Sequence, residues 1–254
     1  MGEAIGVVND NAAGVTGGLQ GLGSARGYVT LENGDRRNFD CDANLLVIAP
    51  RHLRLDLQSL GQTQVLFGSN DALYWLHVKP EIDTYWWGRY GGRSIADLAD
   101  IPLRPDMIVE ATGLAGLPVD SIDGDGPVQR IDGEHQQLLY IAYDQGGHGL
   151  ICKEYWLSRR GCRLIDQIVF RDRLGRVVMR SRLAGYKRLK GDGPWLAHHI
   201  DVVWPEGGAQ LQLKVRQWKA QAKLTPKHRG FVAPHERGKT FATMIDIDQE
   251  PQQD

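Results

Sequence analysis

The run from Leu45 to Tyr90 constrains the fold most, because three apolar stretches follow one another there with only short breaks. In the clearest stretch, every second residue from Leu53 to Leu57 is a leucine, and polar residues stand between them. This alternation places the leucines on one face of a strand. Ser69 to Asp71 then interrupts the chain with residues typical of a hairpin turn. The pattern predicts a meander of antiparallel strands with one apolar face.

The rest of the chain extends this pattern into a single predicted domain over residues 1–254. Its predicted order is a helix over 3–22, strands over 28–90, a helical insertion over 94–115, strands over 137–218 and an irregular tail over 223–254. Within the tail, Phe231 to Pro234 is predicted to dock as an edge segment. Trp218 falls out of phase with the alternation before it, which indicates a bulge or an edge in the last strand.

Composition narrows the function classes. Hydrophobic residues make up 42% of the chain, enough for a sizeable core, and the net charge of -1 predicts no broad attraction to nucleic acid. No apolar run approaches the roughly 20 residues that a membrane-spanning helix needs. The first residues, Met1 to Glu3, lack the basic start of a signal peptide.

Motifs that carry chemistry are absent from the sequence. It contains no nucleophile elbow, P-loop, dinucleotide-binding glycine pattern or zinc-binding helix motif. Cys41, Cys152 and Cys162 do not have metal-site spacing. His199 and Asp201 share a strand face, but two ligands are too few for a zinc site. We therefore expect no catalytic residues, no metal and no cofactor.

Five segments and the first helix resemble the LolA/LolB-like lipoprotein-carrier superfamily, which includes the RseB and LppX folds. The segments are PRHLRLDL (Pro50 to Leu57), GSNDALYWLHV (Gly68 to Val78), IPLRPDMIVEATGL (Ile101 to Leu114), CKEYWLSRRGCRLIDQIVFRDRLGRVVMRSRLAGY (Cys152 to Tyr186) and HHIDVVWPEGGAQLQLKV (His198 to Val215). The helix with Val8-Asn9, Asn11-Ala12 and Leu19 also fits. The resemblance covers most of the chain, and its motifs belong to the scaffold.

The resemblance implies a mainly β fold, an incomplete antiparallel β-barrel of about ten or eleven strands with a helical lid on its concave face. It also implies acyl chains of lipids or lipoproteins as ligands, and a place in the periplasm or at the periplasmic face of the outer membrane. Peripheral or lipid-anchored membrane association fits this setting. The carriers place an arginine before the proline of the strand-start motif, where it ties the lid to the barrel. Ala49 stands there in this chain.

An acyl chain needs a dry apolar cavity with few polar groups, and the lid would open reversibly to admit it. The predicted lining consists of apolar residues on the strands and the lid: Leu55, Leu57, Phe67, Trp75, Trp87, Met107, Leu114, Ile168, Phe170, Met179, Ile200, Val202 and Leu213. The same residues also fit an ordinary filled core.

Two other functions remain open on the sequence. One is an envelope interaction or stress-sensing protein, in which a filled barrel binds a protein partner through its surface or sheet edge. The other is an enzyme whose acid and base residues gather from distant strands. The aromatic residues Tyr85 to Trp87 favour packing under a helix over a stacking platform for bases or sugars.

Overall fold

The protein is mainly β. Its computed structural model describes residues 1–15, 17–30, 33–79, 83–90, 105–119, 126–144 and 146–249. Strands account for 54% and helices for 10% of it. One large sheet dominates and stays open, without closing into a barrel. This confirms the predicted fold class. The described part of the main sheet has 14 strands, more than the about ten or eleven that the resemblance implied.

The elements are as follows in chain order. The helices are α1 (Gly2–Ala13) and α2 (Pro105–Ala111). The strands of the first half are β1 (Gly18–Thr30), β2 (Arg36–Ile48), β3 (His52–Ser59), β4 (Gln62–Ser69), β5 (Leu73–Val78) and β6 (Thr84–Arg89). Those of the second half are β7 (Val128–Ile131), β8 (His135–Tyr143), β9 (Gly149–Ser158), β10 (Ile165–Arg171), β11 (Val177–Ala184), β12 (Lys187–Arg188), β13 (Trp195–Leu196), β14 (His199–Trp204), β15 (Ala209–Gln221) and β16 (Thr243–Asp246).

The sheet joins two meanders through its centre. Its order is β16-β6-β5-β4-β3-β2-β1-β15-β14-β11-β10-β9-β8-β7, so β1 pairs with β2 on one side and with β15 on the other. All neighbours are antiparallel except β16, which runs parallel to β6. Strands β12 and β13 form a separate small hairpin.

The first helix is shorter than predicted, because it ends at Ala13 and residues 18–22 belong to strand β1. The glycines there explain the difference. A Cβ on Gly21 would lie 2.9 Å from the Trp218 ring, and a Cβ on Gly23 would lie 2.0 Å from the Lys214 backbone oxygen. Glycine in a strand commonly marks such a close approach. The glycines of this segment therefore allow β1 to pair closely with β15, and they do not serve to pack a helix against the sheet.

A bulge interrupts the β1–β15 ladder, which is one of the two alternatives, bulge or edge, that the phase of Trp218 predicted. Leu22 pairs with Gln217 and Gly23 pairs with Val215, so Arg216 is an extra residue in β15. Such an insertion moves the following side chains to the other face of the sheet. Trp218 consequently lies in the main core.

The two helices pack on one face of the sheet, here called the inner face, which carries Leu53, Leu55 and Leu57. Helix α1 contributes Ala4, Ile5 and Val8 to the core. The described part of the predicted insertion over 94–115 contains α2, and residues 94–104 lie outside the described chain. The predicted strand regions begin earlier than expected, at Gly18 and Val128.

The tail covers the opposite, outer face of β3 to β6, and we call residues 224–248 the strap. Phe231 packs edge-on against His52, with ring centroids 5.4 Å apart, so its segment lies on a face of the sheet and not at an edge as predicted. The sheet edge is instead occupied by β16. The predicted irregular tail thus contains a strand and two short 3-10 turns, Arg229–Phe231 and His235–Arg237.

Burial lowers the pKa of two histidines where the strap meets the sheet. His77 is 3% exposed, and its Nε2 donates a hydrogen bond to Asp83 Oδ1 at 2.9 Å. Burial lowers the pKa of His77 more than the hydrogen bond to Asp83 raises it. His235 Nδ1 accepts a hydrogen bond from the Tyr85 hydroxyl at 2.8 Å, and burial lowers the pKa of His235 as well.

These lowered pKa values predict loss of stability in mild acid. Below about pH 6.5 the histidines of the unfolded chain bind protons, whereas those of the folded chain bind them only at lower pH. The free energy of unfolding therefore falls as the pH drops toward the folded pKa values. We expect the melting temperature to decrease from pH 7.5 to 5. The His235→Gln variant, which keeps an acceptor for Tyr85, should show a smaller decrease. The same change at His148, exposed at a hairpin tip, serves as control, and an equal decrease in both variants would contradict the assignment.

Candidate functional site

A cavity of about 600 Å³ lies on the inner face of the sheet and is partly open to solvent. Strands β1 to β6, β14 and β15 supply its walls, and Ile108 of α2 borders it from the helix layer. Its apolar lining consists of Val29, Phe39, Cys41, Leu55, Leu57, Val65, Phe67, Leu76, Val78, Trp86, Ile108, Trp204 and Leu211. The volume falls in the range of about 300–1,000 Å³ that is typical of small-ligand sites.

The polar part of the lining gathers at one end of the sheet. Ser59 ends β3, Gln64 lies near the start of β4, and Lys79 follows β5, while Arg37 lies at the start of β2. In an antiparallel sheet these positions all belong to the same end, here called the hairpin end. The cavity therefore has an apolar interior and a polar mouth at the hairpin end.

Contacts between neighbouring turns define the hairpin end further. The Thr30 hydroxyl donates to the Gly208 carbonyl at 2.8 Å, and Arg176 pairs with Glu206 at 3.2 Å. The turn after β10 thus lies beside the turn before β15, which lies beside the end of β1. Two leucines occupy tips at this end: Leu60 is fully exposed and Leu174 is 77% exposed.

Three of the predicted site residues line the cavity: Leu55, Leu57 and Phe67. They come from adjacent strands, where Leu55 pairs with Phe67 and Leu57 with Val65. The alternation in β3 predicted their face correctly. Their contact with a ligand stays a prediction.

Eight predicted residues lie elsewhere on the inner side. They pack in the main core where the helices cover the sheet, with Met107 half-buried against it: Met107, Leu114, Ile168, Phe170, Met179, Ile200, Val202 and Leu213. Ser181 Oγ donates to the Ala111 carbonyl at 2.7 Å, and Lys153 pairs with Glu110 at 2.7 Å, which fixes α2 to this half. The structure therefore fills one half of the inner face and leaves a hollow in the other.

Trp75 and Trp87 do not line the cavity, contrary to the prediction. They form a cross-strand pair on the outer face, where the strap covers them and Trp87 lies 4.6 Å from the His235 ring. Their neighbours Leu76 and Trp86 form the inner-face pair instead. The prediction failed because both faces of β5 are buried, so that alternation gives no signal there.

Several lining residues were missed by the sequence reasoning. Trp204 of β14 and Leu211 of β15 reach the cavity from the other side of the sheet centre. No local sequence pattern predicts the strand pairings that bring them there. Val65 pairs with Val78 across β4 and β5, and both fit the inner-face alternation of Phe67 and Leu76. Extending that alternation to the strand ends would have found the two valines.

Metal and membrane-spanning features are not found in the part of the chain that the structure describes. There, no group of three or more His, Cys, Asp or Glu side chains is placed to hold a metal ion. No described helix has both the length and the apolar character to cross a membrane.

Comparisons with known proteins identify the fold. No protein-family model matches the chain, and no curated protein matches it either. Two solved structures have a TM-score of 0.51. One is a LolA superfamily protein from Nitrosomonas europaea, 13% identical over 90% of this chain and 97% of its own. The other is a DUF1329 family protein from Desulfovibrio piger, 10% identical over 92% of this chain and 97% of its own.

A third structure aligns at a TM-score of 0.46. It is described as an outer-membrane lipoprotein-sorting protein domain from Vibrio parahaemolyticus, 13% identical over 87% of this chain and 93% of its own. The two structures at a TM-score of 0.51 show that the chain has a LolA/LolB-like fold, as its sequence resemblance predicted.

Cys41 gives the cavity a natural reporter group. It is buried in the lining, and burial, followed by the charges of Asp40 and Asp42, raises the pKa of its thiol. In a protein with Cys152 and Cys162 changed to serine, we expect Cys41 at pH 8 to react with a thiol reagent about tenfold or more slowly than free cysteine, since the thiolate is the reactive form. A thermal melt confirms folding. Reaction at the rate of free cysteine would show that this wall of the cavity is exposed.

Proposed function

We propose that this protein binds an acyl chain of a lipid or lipoprotein in the inner-face cavity, as a carrier-like protein of the bacterial envelope. The observation that carries the proposal is a hollow with an apolar interior and a polar mouth, on the inner face of a sheet whose other side is covered by packed core residues. Each methylene moved from water into such a site contributes roughly 0.8 kcal/mol. An unbranched chain therefore gains affinity with length until the hollow is full.

The polar mouth gives the chain an entrance at the hairpin end. Entry there leaves α2 in place, because its ties to Ser181 and Lys153 lie in the filled half. The charged or polar head of the ligand would remain among Ser59, Gln64 and Arg37. This arrangement suits an amphiphile, whose apolar end enters while its polar end stays hydrated.

One residue of the cavity wall carries a polar atom that would favour an oxygen-bearing ligand able to reach it. Trp204 is buried, and its Nε1 has no hydrogen-bond partner among the described residues. An unpaired buried donor is unfavourable, so a carbonyl or ester oxygen that reached it would be stabilised.

The fold supports the same class of function. The LolA superfamily protein from Nitrosomonas europaea shares the architecture, and lipid or lipoprotein ligands with a periplasmic location fit that relationship. The residues of the cavity supply the chemical reason, since their lining is suited to a hydrocarbon chain. A protein-binding role, the alternative from the sequence, becomes the better explanation if the cavity takes up no acyl chain.

Filling part of the hollow with a larger apolar side chain should weaken binding without burying a charge. Val65 and Val78 are half-buried and face each other in the lining. We expect Val65→Trp, and independently Val78→Trp, to weaken palmitate binding at least about tenfold, because excluding two methylenes costs about 1.6 kcal/mol. Displacement of a fluorescent fatty acid and native mass spectrometry measure the effect.

The matched control is Val203→Trp, a half-buried valine of β14 outside the lining. It should bind palmitate like the unmodified protein. A clean apo mass and no palmitate uptake in the unmodified protein would refute the proposal, and equal binding by all variants would place the ligand outside this cavity.

Leu60 lies at the hairpin end, so it would touch a membrane toward which the mouth of the cavity is turned. It adopts a φ of 50° at the tip between β3 and β4, and it is fully exposed. We expect Leu60→Asn to reduce cosedimentation with lipid vesicles by about tenfold, through loss of one inserted leucine side chain. Asparagine tolerates positive φ, so folding and palmitate affinity should be unchanged. Ile131→Asn, at an exposed position of the opposite end, is the control; equal losses in both would exclude a specific role for the tip.

A further inference from the structure

A second, smaller cavity of about 190 Å³ lies at the end of the sheet opposite the hairpin end, between the β12–β13 hairpin and the last part of β15. We call it the basic pocket. Its polar and aromatic lining consists of Lys187, Arg188, Lys190, His198, Arg216, Gln217 and Trp218. The described lining contains four cationic side chains and no carboxylate. No step of the proposed acyl binding uses these residues.

The positive charge of the basic pocket is hardly compensated by the protein. Within the described chain, neither Lys187 nor Lys190 forms an ion pair, and Arg216 comes only within 4.0 Å of the exposed Asp42 carboxylate. Arg188 lies over the Trp195 ring, 5.1 Å from its centroid, which orients the guanidinium without neutralising it. Like charges held together repel each other, so an anion bound among them would be stabilised.

The bulge in β15 builds one wall of the basic pocket. Arg216 is the extra residue there, and bulges characteristically redirect a side chain near functional sites. His198 holds the bulge from the neighbouring strand: its Nδ1 donates to the Val215 carbonyl at 2.6 Å, and the Val215 amide donates to the His198 carbonyl at 2.9 Å. These two bonds fix the backbone beside Arg216.

We propose that the basic pocket binds a phosphate group. A guanidinium presents a planar pair of donors that matches phosphate oxygens, and lysines act on phosphate as point charges. Arg216 and Arg188 would bind the oxygens directly, with Lys187 and Lys190 adding attraction. The phosphate belongs either to a soluble ester or to a lipid head group.

Two binding measurements separate these sources at constant ionic strength. Calorimetry with glycerol 3-phosphate tests the soluble ester. Cosedimentation with vesicles of phosphatidylglycerol, compared with phosphatidylcholine, tests the head group. Binding in either arm supports the proposal and identifies the source. No binding in both arms overturns it, and palmitate binding in the same sample shows whether the acyl site is independently intact.

Variants locate the site. We expect Arg216→Gln and Arg188→Gln each to weaken binding about tenfold or more, the scale of one lost charge-assisted hydrogen bond. Lys219→Gln removes the same charge from an exposed position of the same strand outside the lining and should change affinity less than about twofold. Equal losses from Lys219→Gln and Arg216→Gln would mean diffuse attraction to a basic surface and would overturn the proposal.

Discussion

The pairing of β1 with β15 is the constraint on which the rest of this structure depends. Gly18 pairs with Gln221 and Val29 with Ala209, so residues from opposite ends of the chain form the centre of the sheet. Without this ladder the two meanders would be separate sheets, and β1 and β15 would each become an additional uncovered edge. The cavity also needs it, because Trp204 and Leu211 reach the hollow only from across this junction.

The asymmetry of the inner face links the fold to its proposed function. Helix α2 is tied by side-chain contacts to the second meander and also packs against β4 and β5 of the first. On the other side of the centre, the sheet keeps its apolar inner face but leaves a volume of about 600 Å³ unfilled. An empty apolar volume sacrifices packing contacts, and a fold retains it most readily when a ligand supplies them. The same apolar face is thus covered on one side of the centre and leaves a hollow on the other.

Much of the fold was predictable from local pattern, and the exceptions have physical causes. The leucines of β3 face the inner side as their alternation predicts, and the phase of Trp218 correctly indicated a bulge. The faces of Trp75 and Trp87 were mispredicted because the strap buries the second face of β5 and β6. Residues 18–22 were mispredicted as helix because their glycines serve contacts with a strand some two hundred residues away, which no local window contains.

The position of the strap in the chain has a consequence for how the protein is made. Synthesis proceeds from the N-terminus, so β1 to β6 emerge long before β15 and the strap exist. Until then, the central edge of the first meander and the aromatic outer face around Trp75 and Tyr85 are uncovered. Such surfaces are prone to aggregation, and contacts of this sequence separation form slowly. Completion of this fold is therefore a late event, because it requires both β15 and the strap.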